Sequence, residues 1–378
     1  MAPTGLTDEQ RMIVDLAGEL AERELAERAF EWEGETPWPN LELLAEQGLL
    51  CPGLPEEYGG GGLGHMEEVL VIEAVGQVCP DTAWTLVLDG IAPWSVARFG
   101  TEAAKRRYLP PVCDGETTMA IAISEPQAGS DVTAMDTRIE RDEGEHYLTG
   151  EKTWVSAVPS SEAAVVWTRF PGGNIGSVIV EFDADGVEVV TEYENMAGHV
   201  QTHFVMEDVH VPEENLLITD ERDWKAQLRQ LNWERVVIAM WTMAAARCAI
   251  EHALDYAGTR EQFDQPIGEF QGMRWKFVDM VTEYEAGRSL VYRTVSEALE
   301  EGEPPNRLMS SVTRLFASER TERVVSEALQ VFGANGYQRG HPLEYLYRFV
   351  RSRRIGHGTD EILKNGIADR LFERGIPA

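Results

Sequence analysis

Lysine is nearly absent. It occurs only at positions 105, 152, 225, 276 and 364, so arginine supplies 28 of the 33 basic residues, against 65 Asp and Glu. The net charge of −32 speaks against nucleic acid or an anionic membrane surface as a partner, since both repel an acidic chain. Salt screens the self-repulsion of such a surface, so a halophilic source is expected. Cysteine is scarce too, at 51, 79, 113 and 248, with no pair at metal-ligand spacing. No metal site is expected, and buried free thiols in a reducing cytoplasm are. No apolar run approaches the roughly 20 residues of a membrane-spanning helix. The N-terminal stretch from Met1 to Glu9 has no basic segment followed by an apolar core, so neither a secretory signal nor a membrane location is expected.

What is present is globular. The 378 residues are 43% hydrophobic and 26% charged, enough for two or three subdomains. The chain reads as three blocks. Residues 1–117 read as helices. Thr7-Asp-Glu-Gln10 has the form of a capping box, followed by Met12, Ile13, Leu16, Leu20 and Leu25 at helical spacing. Further helices are predicted at Asn40–Gln47, Met66–Gln77, Thr82–Arg98 and Thr101–Leu109, the last stopped by Pro110-Pro111. The glycine-rich Pro55–Gly62 lacks the Lys-Ser/Thr of a phosphate loop and reads as a turn. Residues 118–221 switch to β-branched alternation, as in Val165-Val-Trp-Thr and Ser177-Val-Ile-Val. Residues 222–378 return to long amphipathic helices near 223–259, 270–300, 305–333 and 359–374.

The middle block opens on Met119-Ala-Ile-Ala-Ile-Ser-Glu-Pro-Gln-Ala-Gly-Ser-Asp131, followed by Leu148-Thr-Gly-Glu-Lys-Thr-Trp-Val-Ser156. An apolar strand breaks before Pro126 into a loop with a permissive glycine and hydroxyls. A charged hairpin around Arg141–Gly144 leads to a second strand. Two strand ends with hydroxyls and one Trp suit the edge of a flat, hydrogen-bonding cofactor; an ordinary hairpin with a packed Trp is the plainer reading. This pair of segments resembles the flavin-binding signature of the acyl-CoA dehydrogenase family. Tyr256-Ala-Gly-Thr-Arg-Glu-Gln-Phe-Asp, ending at Gln271, Gln330-Val-Phe-Gly-Ala-Asn-Gly-Tyr337 and Ile355-Gly-His-Gly-Thr-Asp-Glu-Ile362 are similar to further motifs of that family.

The resemblance implies an α+β chain: an N-terminal all-α domain (1–117), a middle β-barrel or sandwich (118–221) and a C-terminal four-helix bundle (222–378). It implies FAD, with Ile121, Ile123, Ser124, Gly129, Ser130, Trp154 and Ser156 at the flavin. Arg260, Phe263, Gln271, Gln330, Gly333 and Ala334 would reach the pyrophosphate and adenosine end, the first three in a neighbouring subunit, so a homotetramer is implied. Thr359 and Glu361 would lie near the flavin. Ser130, Arg235 and Gly358 would meet an acyl-CoA substrate. Asp264 and Ala334 stand where the family commonly has glycine.

In the family a carboxylate takes the α-proton of the thioester while the β-hydrogen leaves as hydride. The usual Glu of the E-G-T motif is His357 here. Three residues stand as candidate bases. Glu234, in Asn232-Trp-Glu-Arg-Val236, falls where some members carry theirs; a carboxyl in a dry pocket gains the basicity a general base needs. Asp89 interrupts an apolar run, Leu86-Val-Leu-Asp-Gly-Ile-Ala92, where a charge needs a reason. His357 can accept a proton near neutrality, alone or sharing it with Glu234. Helix-start pairing of Glu234 with Arg235, local capping of Asp89 and space-filling by His357 are the structural alternatives. The activity implied is α,β-dehydrogenation with electrons passed to electron-transfer flavoprotein. An acyl-CoA reductase, a cyclic carboxyl-CoA dehydrogenase or a flavin-free binding paralogue are the alternatives. Trp84, Trp94 and Trp233 read as core packing or as walls of a narrow acyl pocket.

Overall fold

The computed structural model describes residues 5–302 and 304–376; the side chains of Asp89, Glu221 and Arg222 lie outside the described residues. Six helices come first: α1 (Asp8–Leu20), α2 (Trp38–Glu46), α3 (His65–Gly76), α4 (Pro80–Asp89), α5 (Ala92–Phe99) and α6 (Glu102–Cys113). Eight strands follow: β1 (Thr118–Ala122), β2 (Arg138–Asp142), β3 (Glu145–Ser156), β4 (Ser161–Arg169), β5 (Ile175–Glu181), β6 (Val187–Glu194), β7 (Val200–Val211) and β8 (Leu216–Ile218). Then come α7 (Glu221–Thr259), the short β9 (Glu261–Gln262) and β10 (Gln265–Pro266), α8 (Gln271–Glu301), α9 (Arg307–Phe332), α10 (Pro342–Arg351) and α11 (Asp360–Arg374). The expected order of helices, sheet and helices holds.

The chain forms two compact units. One takes the residues up to Glu33, His65–Trp84 and Asn232 onward; the other takes Gly34–Gly64 and Thr85–Leu231. In the second unit the strands pair in the order β6-β7-β3-β2-β4-β5-β8, and β1 joins β4 in parallel. Register shifts at Leu148/Gly150 and Lys152/Val155 on β3, and at Val189/Thr191 on β6, bend the sheet. Its inner faces meet in one core that includes Ala122, Ile139, Leu148, Val166, Val180, Phe204 and Val211. Burial of each large apolar side chain there is worth about 1.5–3 kcal/mol. The hairpin predicted around Arg141–Gly144 is β2–β3, closed by Glu143 (φ 50°) and Gly144 (φ 101°).

In the first unit the long helix α7 supplies the core. Val236, Ile238, Met240, Trp241, Met243 and Ala244 are buried along it. Gly76 of α3 lies so close that a Cβ there would stand 2.9 Å from the Ala244 Cβ, so only glycine permits this approach. Trp241 donates to the Pro80 carbonyl at 2.8 Å, tying α7 to α4.

Several sequence expectations change. The helix expected over Thr82–Arg98 is two helices, broken at Gly90-Ile91; Pro93 sits in the first turn of α5, where its missing N–H costs nothing. Pro110-Pro111 do not stop α6, which runs to Cys113. Both prolines lie in its last turn, and their own carbonyls accept from Asp114 N and Glu116 N at 2.9 Å. An apolar stretch of spanning length also exists after all: an 18-residue window of α7 reaches a mean hydropathy of 1.2, and 83% of it is buried within the chain, as in the core helix of a packed domain. The two caps behave as read. Thr7 and Gln10 exchange bonds of 3.0 and 3.1 Å, and Thr101 Oγ1 accepts from Ala104 N. All four cysteines are buried thiols outside any disulfide.

Candidate active site

In the sheet unit, the two halves of the opening signature do meet. Thr153 N donates to the Ser124 carbonyl at 2.9 Å, and Glu125 and Ala128 bond each other's backbone at 3.0 Å to close the turn between them. What fixes this corner is an ion pair. The Glu125 carboxylate accepts from Lys152 Nζ at 2.8 Å, Asp136 N at 2.6 Å and Thr137 N at 3.1 Å, while Lys152 also donates to the Ile123 carbonyl. Both side chains have no exposed surface. Burial pushes the Glu125 carboxyl up, but its bonds from Lys152 and the backbone outweigh that and hold it below its ordinary value. Burial brings the Lys152 ammonium down to about 8 against the pull of Glu125. These two residues lie one in each of the two signature segments. Their signal was available: one of only five lysines, with a glutamate in the partner segment.

The same corner holds the expected flavin contacts. Trp154 adopts φ 59° at the bulge of β3 and is 54% exposed, with its ring centroid 5.0 Å from that of Tyr193. A bulky side chain in the left-handed region is uncommon and strained. Ile121, Ile123, Ser124 and Ser156 are half-buried, and Gly129 and Ser130 are exposed. A Cβ at Gly129 would meet nothing within 4 Å. Asp89 ends α4; its side chain lies outside the described residues.

In the helical unit a second group gathers. Glu234 lies on α7 and is 3% exposed. Its Oε2 is 3.8 Å from His357 Nδ1, and its Oε1 has no hydrogen-bond partner among the described residues. His357 sits at φ 58° between Gly356 and Gly358 (φ 93°), in the turn before α11. Its ring meets Trp84 edge-on, with centroids 6.4 Å apart at 78°. Trp84 is held in turn by Arg353, whose guanidinium carbon lies 3.6 Å over the ring, and by Trp241 at 5.3 Å. The helix-start pairing of Glu234 with Arg235 is not formed as a hydrogen bond: Arg235 Nη1 donates to Asn232 Oδ1 at 3.0 Å, and its Nε is unpaired among the described residues.

Next to this carboxyl, Arg235 belongs to a set of arginines that act on one another in the helical unit. Burial lowers the Arg235 guanidinium, as does the charge of Arg307, while Glu234 opposes. Burial brings Arg353 down to about 9, with the charge of Arg314 acting in the same sense. Arg314 is 1% exposed and brought to about 10 by burial, with Asp360 opposing and Arg235 adding. No sequence spacing marks Arg314 on α9 or Arg353 in the turn after α10, because the residues that meet there lie far apart in the chain.

The remaining expected residues are surface groups of the helical unit. Arg260 directly follows α7 and is exposed; Gln271 starts α8 and is exposed. Phe263 is 89% exposed at φ 54° and Asp264 follows at φ 63°; together they form the two-residue turn of the β9–β10 hairpin. Asp in place of glycine is accommodated there because Asp tolerates left-handed angles. Gln330, Gly333 and Ala334 close α9, all exposed, with Gly333 at φ 56°. Thr359 caps α11, its hydroxyl accepting from Ile362 N at 3.3 Å. The carboxyl of Glu361, in the first turn, is held below its ordinary value by a backbone bond and by the Thr359 hydroxyl.

Three domain families describe almost the whole chain: the acyl-CoA dehydrogenase N-terminal domain over residues 7–116, the middle domain over 120–209 and the C-terminal domain over 222–372. The chain belongs to the acyl-CoA dehydrogenase family. It is 32% identical to a probable acyl-CoA dehydrogenase, YngJ, of Bacillus subtilis, over 97% of this chain and 99% of that one. It is 33% identical to the acryloyl-CoA reductase (NADH) of Anaerotignum propionicum, over 98% and 96%. The crystal structure of a probable acyl-CoA dehydrogenase from Mycobacterium abscessus superposes with a TM-score of 0.90 at 30% identity, covering 97% of this chain and 99% of that one. As a member of this family the chain is an oxidoreductase, and the cofactor of the family is FAD.

Proposed function

We propose that the chain dehydrogenates an acyl-CoA thioester between its α and β carbons, with Glu234 as the base that removes the α-proton. The observation that carries this is the state of Glu234: buried, next to Arg235, with one carboxylate oxygen unpartnered among the described residues. A buried polar atom without a partner costs about 1–3 kcal/mol, and at a functional site it marks a place for a reacting group. FAD, when bound, accepts the β-hydrogen as hydride. The chain's own residues fit that group. Trp154 stands strained and half in solvent beside Ser124 and Ser156 in the sheet unit. Arg260 and Phe263 stand out from the helical unit, where a guanidinium suits a pyrophosphate.

The exposure of Phe263, together with Trp275 and Val278 on α8 at 60% and 61%, supports a homotetramer in which those residues are covered by a neighbouring copy. Ser130, Arg235 and Gly358 are assigned to the thioester substrate, electron-transfer flavoprotein to the electrons, and the cytoplasm to the location. Reduction of an enoyl-CoA is the second reading, favoured by the resemblance to acryloyl-CoA reductase; the same base would then act as the acid.

The deciding experiment is anaerobic bleaching of the flavin by a panel of acyl-CoA thioesters. Glu234→Gln is expected to slow it by about 10²–10⁴-fold, the range general-base catalysis supplies, while Asp89→Asn stays near wild type. Wild-type bleaching in Glu234→Gln, or its loss in Asp89→Asn alone, removes Glu234 from the role.

A further inference from the structure

Glu234 has a difficulty its position creates. A base that takes a proton must release it before the next turnover, and its side chain is only 4% exposed. Water does not reach it freely. The neighbouring Arg235 offers no exit, because a guanidinium keeps its protons and presents no acceptor. The one group within ion-pair reach of Glu234 among the described residues that can accept a proton and pass it on is His357, whose Nδ1 lies 3.8 Å from Oε2 and whose side chain is 23% exposed.

The protein holds that imidazole in place at a cost. The left-handed backbone of His357 is worth about 1–2 kcal/mol of strain for a residue with a side chain, where either adjacent glycine would take it freely. Trp84 meets the ring edge-on and is itself clamped between Arg353 and Trp241, so the imidazole has a rigid wall on that side. Strain retained against a rigid wall points to a placed group rather than a filled space.

We infer that His357 is a proton relay between Glu234 and solvent, a role that rests on Glu234 being the base. After α-proton abstraction the Glu234 carboxyl, as its Oε2–H, donates to Nδ1 of the neutral His357. The O–H bond breaks, the Nδ1–H bond forms, and the carboxylate returns to its ionised state. The imidazolium then gives its Nε2 proton to water and regains its starting tautomer by exchange with water. One proton moves from carboxyl to solvent and no electrons move with it. In the reductive direction the same path runs inward. The 3.8 Å separation closes to hydrogen-bond length by rotation of either side chain, as catalytic contacts commonly tighten only when the site is loaded. His357 thus acts through Glu234 and not on the substrate.

The test separates proton release from the chemical step. The probes are short- and medium-chain 3-thia-acyl-CoA thioesters, which carry sulfur at the β position and give up no hydride. The FAD-loaded enzyme is placed in D2O, and exchange of the probe's α-hydrogens is followed by NMR beside first-turnover flavin bleaching with a true substrate. In His357→Ala, exchange is expected to fall about tenfold or more relative to bleaching, and millimolar imidazole to restore it. His357→Gln keeps the volume without a titrating proton and is expected to show the same loss with no rescue. A purely structural role lowers both rates in parallel and leaves their ratio unchanged, which overturns the relay. So does an exchange rate at the wild-type level in both variants, or a His357→Ala enzyme that imidazole does not restore. Exchange that survives Glu234→Gln unchanged would instead overturn Glu234 as the base, a distinct failure.

Discussion

At the scale of single residues, the Glu125–Lys152 pair decides the geometry of the corner that carries Ser124 and Trp154. Both partners are fully buried, so desolvation works against the pair and hydrogen bonds must compensate. They do: the carboxylate takes two backbone N–H groups, Gln127 Nε2 and the ammonium. Removing one partner of such a pair strands the other charge and costs about 3–5 kcal/mol. Lys152→Met is therefore expected to lower the thermal midpoint sharply and to lower FAD retention with it. Lys152→Met combined with Glu125→Gln should recover a large part of the loss, because the amide oxygen still accepts from Asp136 N and no bare charge is left. The check is a double-mutant cycle in thermal unfolding; equal midpoints for the single and double variants would show that the charge is not what matters.

Among elements, Asp81 on α4 and Tyr345 on α10 make a contact whose sign depends on pH. The Tyr345 hydroxyl donates to Asp81 Oδ1. Burial pushes the Asp81 carboxyl up to about 7, the charge of Glu33 adds, and the Tyr345 bond only partly opposes. In the unfolded chain an aspartate titrates near about 3.9. The folded value is the higher one, so the folded form keeps a proton the unfolded form gives up. Its contribution is fully present below about pH 4 and is lost as pH rises through about 7. Asp81→Asn keeps an acceptor for Tyr345 and never ionises. It should raise the thermal midpoint at pH 8 and change it little at pH 4, and an equal effect at both values would sink this account. How legible such elements were in the sequence follows from the range of the forces involved. Caps at Thr7 and Thr101 and the Arg141–Gly144 hairpin are short-range and were readable. The break at Gly90-Ile91 had its cues in Gly90 and in Pro93, a first-turn proline, but the apolar residues on both sides read as one continuous helix. The flavin corner was readable as motif. The Glu234, His357 and Trp84 group was half readable: each residue was named, but their meeting joins α7, α4 and the turn before α11, and no spacing encodes that. The buried Arg314 and Arg353 left no trace in the pattern, since buried and solvated arginines look alike in a chain this rich in them.

Across the whole molecule the charge imbalance sets the conditions of folding. With 65 acidic residues to 33 basic, an excess of 32, many carboxylates have no basic partner, and compaction brings like charges together. The surface pairs that exist, such as Arg247–Glu251 and Lys364–Glu319 at 2.8 Å, are worth at most about 1 kcal/mol each. Added salt weakens those few attractions and the far more numerous repulsions alike, because both act through water. The repulsions outnumber the pairs, so the net effect of salt is stabilising. The Debye length falls from about 10 Å at 0.1 M to about 3 Å at 1 M, so most of the gain arrives below 1 M. Beyond that, further stabilisation would come from exclusion of the salt from the surface and not from screening. The thermal midpoint is therefore expected to rise by several degrees between 0.1 and 1 M KCl and to flatten between 1 and 3 M. Sucrose at matched osmolality, which screens nothing, should not reproduce the steep first part. A midpoint that is flat or falling across the first interval would mean that the arginine pairs, and not the excess carboxylates, dominate the surface, and the expectation of a salt-adapted protein would fall with it.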